Sequence, residues 1–260
     1  MPTYEAKELG LADIKYRKYA YDKSIVITGN EVNDYFRVVF EAMKIIFPKL
    51  AEKTVHLSHG MLRLPSGKMS SRTGEVITAE LLIQEIEKLV AEKIKERDLS
   101  EEEKKKIMEI VAIGAIKYSI LKQAIGGDII FDLQKSISFE GDSGPYLQYA
   151  YTRAKSILEK ARAEKIKPSL KFVPSEISEI EPMLSRFPEI IERAKKEYSP
   201  HYLVTYLTEL ARIFNAYYAK VKIVDKEDKY SPYKIALTAS FAQIMKNGLW
   251  VLGISAPRKM

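Results

Sequence analysis

The sequence predicts an α/β opening, a partial open parallel sheet amounting to half of a doubly wound domain, followed by an all-α helical bundle. Two observations carry this. A β-branched run, a tight turn, an amphipathic stretch and a second strand-like run follow one another between residues 24 and 64. From about residue 78 onward, apolar residues recur almost throughout at helical spacing.

Ser24-Ile25-Val26-Ile27-Thr28 reads as a short buried strand closed by Gly29-Asn30. The helix after it places Tyr35, Phe36, Val39, Phe40, Met43, Ile46 and Phe47 on one face and stops at Pro48. Thr54 to Leu57 and Met61 to Leu64 are the next strand-like pieces. One βαβ unit is too little sheet for a complete doubly wound domain. Thr78 caps a helix carrying Leu82, Ile86, Leu89, Val90 and Ile94. Ser100 and Glu103 form a capping box ahead of the Ile107-to-Ile125 stripe, which ends at Gly126-Gly127. Asp128 to Gly144 is a linker in which Asp128–Asp132 and Ile137–Phe139 are short extended pieces. Three later helices share one expected opening, a serine cap with proline in the first turn, at Ser143-Gly144-Pro145, Ser199-Pro200 and Ser231-Pro232. A weaker helix, broken by Pro182 and Pro188, fills residues 175–198. The expected boundaries are 1–77 for the α/β part, 78–140 for a helical connecting region and 141–260 for a terminal helical domain.

Composition narrows the class. Hydrophobic residues make up 46% and charged residues 30%, a globular balance. No apolar run approaches the about 18 residues of a membrane span, and the first residues carry no signal-like apolar stretch. A cytoplasmic protein without a membrane association is the plain reading. There is no cysteine and there are only three histidines, so disulfides are excluded and no metal site is expected. The net charge of +7 suits a polyanionic partner, though a merely basic surface fits as well.

Chemistry concentrates in Gly67-Lys68-Met69-Ser70-Ser71-Arg72-Thr73-Gly74, a cationic, hydroxyl-rich loop between two glycines. Such a loop donates many hydrogen bonds to a polyphosphate. Lys68 to Arg72 resembles the Lys-Met-Ser-Lys-Ser signature loop of class I aminoacyl-tRNA synthetases, with Ser71 where the second lysine usually stands. The wider Arg63-to-Gly74 segment resembles the arginyl enzyme of that class. The resemblance implies that the α/β part is the C-terminal half of a Rossmann-like catalytic domain. It implies that ATP, with Mg2+, is a substrate and that no tightly bound cofactor is needed. Lys68 and Arg72 would be catalytic, and Lys68, Met69, Ser70, Ser71, His59, Gly60 and Met61 would contact ATP.

Further matches extend over nearly the whole chain. Tyr4-Glu5-Ala6-Lys7-Glu8 resembles the family segment whose tyrosine and acid bind substrate arginine, which implies that role for Tyr4 and Glu8. A carboxylate can form a bidentate pair with a guanidinium that lysine cannot copy. Gly29 to Phe36 resembles the segment in which a glutamine holds the ligand. Val32 stands at that glutamine, so Glu31 or Asn33 takes the task or the contact is lost. Glu140 to Arg153 resembles the entry to the anticodon-binding helices. There Tyr146, Tyr149 and Arg153, at i, i+3 and i+7, share a helix face suited to stacking unpaired bases, or equally to packing. The last helices resemble those of the same domain, which implies tRNA contacts for Tyr217, Tyr218, Trp250 and Met260.

The family's His-Ile-Gly-His motif is missing, and His56-Leu57-Ser58-His59 lies too close to the signature loop to replace it. The chain is therefore expected to be a fragment, or one part of a split enzyme, whose missing N-terminal half is a partner along with the arginine-acceptor tRNA, arginine and ATP. Alone it is expected to bind tRNA weakly and to form no adenylate. The alternative is a non-catalytic tRNA- or partner-binding helical module.

Overall fold

The computed structural model describes residues 2–65, 67–68, 78–97, 99–257 and 260, with only the backbone at 64, 67 and 68. The chain divides into two compact units, one of residues 1–63 with 125–130, the other of residues 64–124 with 131–260.

The first unit is the α/β part. Helix α1 (Tyr4–Lys18) opens it, with Thr3 accepting from the Ala6 N–H as N-cap. This helix carries no clean apolar stripe, and the sequence pattern did not mark it. Strands β1 (Ser24–Gly29) and β2 (Thr54–His59) pair in parallel, from Ser24 opposite Thr54 to Gly29 opposite His59. Between them run α2 (Asn33–Ile46) and α3 (Pro48–Lys53). Proline divides these two helices as expected: α2 ends before Phe47, and Pro48 occupies the first turn of α3. Ala12, Val39, Met43 and Leu50 form the small core, while Ile25 and Ile27 on the other face of β1 remain 43% and 68% exposed. Strand β3 (Leu62–Leu64) precedes β4 (Gly67–Lys68), and residues 129–130, β5 (Ile129–Ile130), return to pair in parallel with Leu62 and Arg63.

The second unit is helical. Helices α4 (Ala79–Ile94) and α5 (Glu101–Leu121) pack together through a stripe of Leu82, Ile86, Val90 and Ile94, all buried. Thr78 caps the first, and the Ser100–Glu103 box caps the second with both reciprocal bonds made. After the short α6 (Leu133–Ser136) come α7 (Gly144–Ala163), α8 (Ile180–Ser185), α9 (Phe187–Lys196), α10 (His201–Lys220) and α11 (Ser231–Val251). Their core includes Leu147, Ala154, Leu207, Leu210 and Met245, with the rings of Phe214 and Phe241 stacked 3.8 Å apart.

Two of the three serine caps are corrected. Ser143 accepts from the Tyr146 N–H and caps α7. Ser199 instead donates to the Glu197 carbonyl at 2.9 Å, and α10 starts one residue later with no side-chain cap. Ser231 lies inside α11, donating to the Ile223 carbonyl and accepting from the Asp225 N–H. In both, a backbone carbonyl of the preceding segment takes the hydroxyl. Ile137–Phe139 forms no strand either, because Ser138 bonds locally to Glu140 and turns the chain.

Helices α5 and α7 meet backbone to backbone. A Cβ on Gly144 would lie 2.2 Å from the Gly114 carbonyl oxygen, so only glycine permits this approach. Helix propensity alone favours alanine at Gly144. We nevertheless expect Gly144→Ala to lower unfolding free energy by about 1–3 kcal/mol, the usual effect of overpacking. Urea denaturation followed by circular dichroism measures this, and an unchanged midpoint would show that the contact is slack.

Candidate functional site

In the second unit, one face of α7 borders an open cavity of about 610 Å³ lined by Lys93, Arg97, Phe139, Tyr146, Tyr149, Arg153, Asn215 and Met260, among others. Its polar wall is built around Asn215. The Arg153 Nη1 donates to Asn215 Oδ1 at 2.6 Å, and Asn215 Nδ2 donates to the Tyr146 hydroxyl at 3.1 Å. Guanidinium has only donors, so this contact settles which end of the amide faces Arg153. The Arg153 guanidinium in turn stands over two rings, 4.8 Å from the centre of Tyr149 and 5.1 Å from that of Tyr218. Phe139 meets Tyr149 edge-on at 6.2 Å, and Lys93 stands 5.9 Å from the Phe139 ring. Three cations thus face one carboxylate, Glu140, around aromatic walls. Such a site favours a flat, electron-rich, anionic-backboned ligand.

The structure brings Tyr146, Tyr149, Arg153 and Met260 together here, with Tyr218 joined through Arg153. Tyr217 and Trp250 do not line this cavity. Tyr217 packs half-buried against the helical core, whereas Trp250 is 78% exposed on α11. Burial, reinforced by the carboxylates of Glu181 and Asp228, pushes the Tyr217 phenol up to about 12. Sequence reasoning missed Asn215, Lys93, Arg97 and Phe139 as site residues. Asn215 was discoverable as a polar residue directly after Phe214 in the α10 stripe; surface cations such as Lys93 and Arg97 carry no such signal.

In the first unit the carboxyl ends of β1 and β2 lie side by side, where open α/β sheets hold ligands. His59 is exposed, with its Nδ1 2.9 Å from the Gly60 carbonyl oxygen. Gly60 is buried so tightly that a Cβ would lie 2.1 Å from the Gly127 carbonyl oxygen. Asp128, which sequence reasoning treated as linker, pins this turn. Its carboxylate accepts from the Met61 N–H at 2.9 Å and pairs with Arg63 at 2.6 Å. His56 is a packing residue, stacked 4.2 Å from Phe36 and 2.8 Å from the Thr28 hydroxyl, and desolvation lowers its pKa. Tyr4 and Glu8 fall one turn apart on α1, Tyr4 being 75% exposed and Glu8 partly buried. Desolvation raises the Tyr35 pKa, and the charges of Glu8 and Glu5 add to it. The carboxylate of Glu31 lies over Gly29 at the end of β1. Lys68 lies in β4 and its side chain is not described; Met69, Ser70, Ser71 and Arg72 lie outside the described residues.

Residues 2–133 match the model of the class I (R) tRNA synthetase catalytic domain, and residues 147–260 match that of the DALR anticodon binding domain. A class I synthetase catalytic portion joined to anticodon-domain helices is the class that the fold and these matches define. Within it, the chain belongs to the arginyl family. An arginine–tRNA ligase of Amoebophilus asiaticus is 33% identical over 270 residues, covering 99% of this chain and 45% of that protein. One of Borrelia turicatae is 35% identical over 263 residues, with the same coverage. The arginyl-tRNA synthetase structure of Thermus thermophilus superposes with a TM-score of 0.78 at 29% identity, over 92% of this chain and 41% of that one. That of Plasmodium falciparum gives 0.77 at 22% identity, over 99% and 44%, a likeness of fold alone. The chain spans about 45% of the length of the curated relatives it matches. Among the described residues no helix is long and apolar enough to cross a membrane.

The raised Tyr217 pKa has a definite sign. A phenol near 12 in the folded state and near 10 in the unfolded state stabilises the fold fully below pH 10. That contribution is lost as pH rises from 10 to 12, because only the unfolded chain releases the proton. Wild-type protein should therefore lose stability relative to Tyr217→Phe over this window. Parallel urea midpoints at pH 9 and pH 11 check it, and equal losses in the two proteins would contradict the assignment.

Proposed function

We propose that this chain is the part of an arginine–tRNA ligase that carries the signature loop and reads the anticodon. The cavity beside α7 seats one unstacked base of the anticodon loop. The observation that supports this is the Asn215-locked arrangement in which Arg153 stands over both Tyr149 and Tyr218. An extruded base gains a stacking plane from Tyr149, and its edge meets the Tyr146 hydroxyl and the Asn215 amide. Met260 closes the cavity. Lys93 and Arg97 face the phosphates of the same loop. Tyr217 packs on the core outside this cavity, and Trp250 offers an outlying stacking surface on α11.

In the complete enzyme, which is cytoplasmic, Tyr4 and Glu8 hold the substrate arginine, with Glu31 replacing the contact that Val32 cannot make. His59, Gly60 and Met61 border ATP, and Lys68, Met69, Ser70, Ser71 and Arg72 surround its phosphates, which arrive with Mg2+. The arginine carboxylate attacks the α-phosphorus, and pyrophosphate leaves as Lys68 and Arg72 neutralise its growing charge. A hydroxyl of the tRNA 3′ end then attacks the adenylate carbonyl and AMP leaves. The rest of the enzyme supplies the opposing histidine motif and extends the sheet. Parallel sheets are ordinarily covered on both faces, so the exposed Ile25 and Ile27 suit that completion.

Two experiments test these assignments. Binding of an anticodon stem–loop of arginine tRNA to this chain, followed by fluorescence anisotropy, should weaken about fivefold or more in Tyr149→Ala, since one base–aromatic stack contributes roughly 1–3 kcal/mol. Tyr19→Ala, an exposed tyrosine of the first unit, should leave affinity unchanged. Equal affinity of wild type and Tyr149→Ala would remove the cavity from the binding site, and indiscriminate binding of other stem–loops would point to a non-catalytic module. In the full-length enzyme, Lys68→Ala should slow arginine-dependent ATP–pyrophosphate exchange by far more than it weakens tRNA binding. A defect confined to affinity would contradict the phosphate role.

A further inference from the structure

Helix α11 ends in a left-handed residue, Gly253, at φ 66°. The Gly253 N–H donates to the Trp250 carbonyl and the Ile254 N–H to the Leu249 carbonyl, with Ile254 and Leu249 both buried. This is a Schellman motif, and after it residues 254–257 run on without helix or strand. Every second carbonyl of that segment is then held by a side chain. Lys117 of α5 donates to Gly253, Gln148 of α7 donates to Ser255 at 2.8 Å, and the Thr152 hydroxyl of α7 shares its one hydrogen between the Gln148 carbonyl at 2.9 Å and the Pro257 carbonyl at 3.3 Å.

The spacing explains why the grip works. Residues i and i+4 of a helix rise by roughly 6 Å. Residues i and i+2 of an extended chain advance by roughly 6.7 Å, and their carbonyls face the same side. Gln148 and Thr152 therefore meet Ser255 and Pro257 in step.

Gln148 is the centre of this grip. It is fully buried, and the same Nε2 also donates to the Ile110 carbonyl of α5 at 3.1 Å. Two carbonyl acceptors on one amide nitrogen use both of its hydrogens. The room for the amide comes from Gly114, where a Cβ would lie 2.7 Å from Nε2. The residue after Thr152 on α7 is Arg153, and three residues after Pro257 comes Met260; both line the cavity.

We infer that Gln148, with Thr152 and Lys117, is a positioning residue. It clamps the 253–257 segment along α7 and thereby sets Met260 in the wall of the base cavity. The functional part of this inference rests on the cavity reading proposed above; the clamp itself does not.

Gln148→Met keeps the length and volume of the side chain but removes both donors. Hydrogen exchange of the 260-residue chain should show the Ile254 amide, which donates to the Leu249 carbonyl, exchanging at least tenfold faster in this variant, while amides in the middle of α10 are unchanged. Unchanged exchange at Ile254 overturns the clamp, whatever happens to RNA. Acceleration throughout the helical unit overturns it as well, because Gln148 would then be a general packing residue; Thr152→Val should repeat the local effect without touching the Ile110 contact. The link to function is read from a double-mutant cycle on anticodon stem–loop binding. Gln148→Met and Met260→Ala should each weaken binding about tenfold, and the double variant should be no weaker than either alone. Multiplying losses, near a hundredfold, would show that Gln148 does not act through Met260. Should the wild-type chain bind no stem–loop, the cavity reading falls while the exchange arm still decides the clamp.

Discussion

The geometry of the helical unit hangs on one close approach, the contact of α5 with α7 at Gly114 and Gly144. Neither helix has a Cβ there, and the carbonyl of Gly114 occupies the space one would need. This places α7 at a definite height and rotation. Its buried side, with Leu147, Ala150, Ala154 and Ile157, enters the helical core. Its other side presents Tyr146, Tyr149 and Arg153 to the cavity. Gln148 lies between the two sides and makes use of the same opening. A helix displaced by one side-chain width would lose the Asn215 lock, since 2.6 Å and 3.1 Å hydrogen bonds do not survive such a shift.

Cohesion and recognition use different forces here. Most of the ion pairs join residues three or four apart on exposed helix faces, as in Lys44–Glu41, Lys88–Glu85 and Arg212–Glu209. Pairs of this kind contribute only tenths of a kcal/mol each and are screened by salt. The fold is held by buried apolar stripes and a few buried polar ties. Arg153 is different, because it is partly buried, bonded to Asn215 and stacked on aromatic rings. A guanidinium so held is already ordered before a ligand arrives, which lowers the entropic cost of binding.

Element types were largely legible in the sequence because periodicity and caps act locally. The Ser100–Glu103 box and the Ser143 cap depend on neighbours within three residues, so their chemistry can be read in line. Ser199 and Ser231 carried the same signal and failed, because loop carbonyls outside the cap pattern took their hydroxyls. Helix α1 was hidden because its apolar residues mark no single face. The cavity was half legible. Tyr146, Tyr149 and Arg153 share a helix face by spacing alone, but Asn215 lies 62 positions from the arginine it fixes. Asp128 was hidden for the same reason, standing 67 positions from the Met61 N–H it receives. No local rule predicts partners at such separation.

The two units differ in how far their own residues complete them. In the helical unit, α7, α10 and α11 bury a continuous core including Leu147, Leu207, Leu210 and Met245, each essentially inaccessible. Every residue lining the cavity beside α7 comes from that unit. The α/β unit has a core of a few residues around Val39 and Met43, and alternate positions on β1 stay open to solvent. A two-stranded parallel sheet is marginal by itself. Its ligand-facing turn is nevertheless well defined, because Asp128 holds both the Met61 N–H and Arg63. The proposed base recognition thus draws only on groups that are already in place, whereas the proposed chemistry of the α/β unit draws on strand ends whose sheet is small and open on one face.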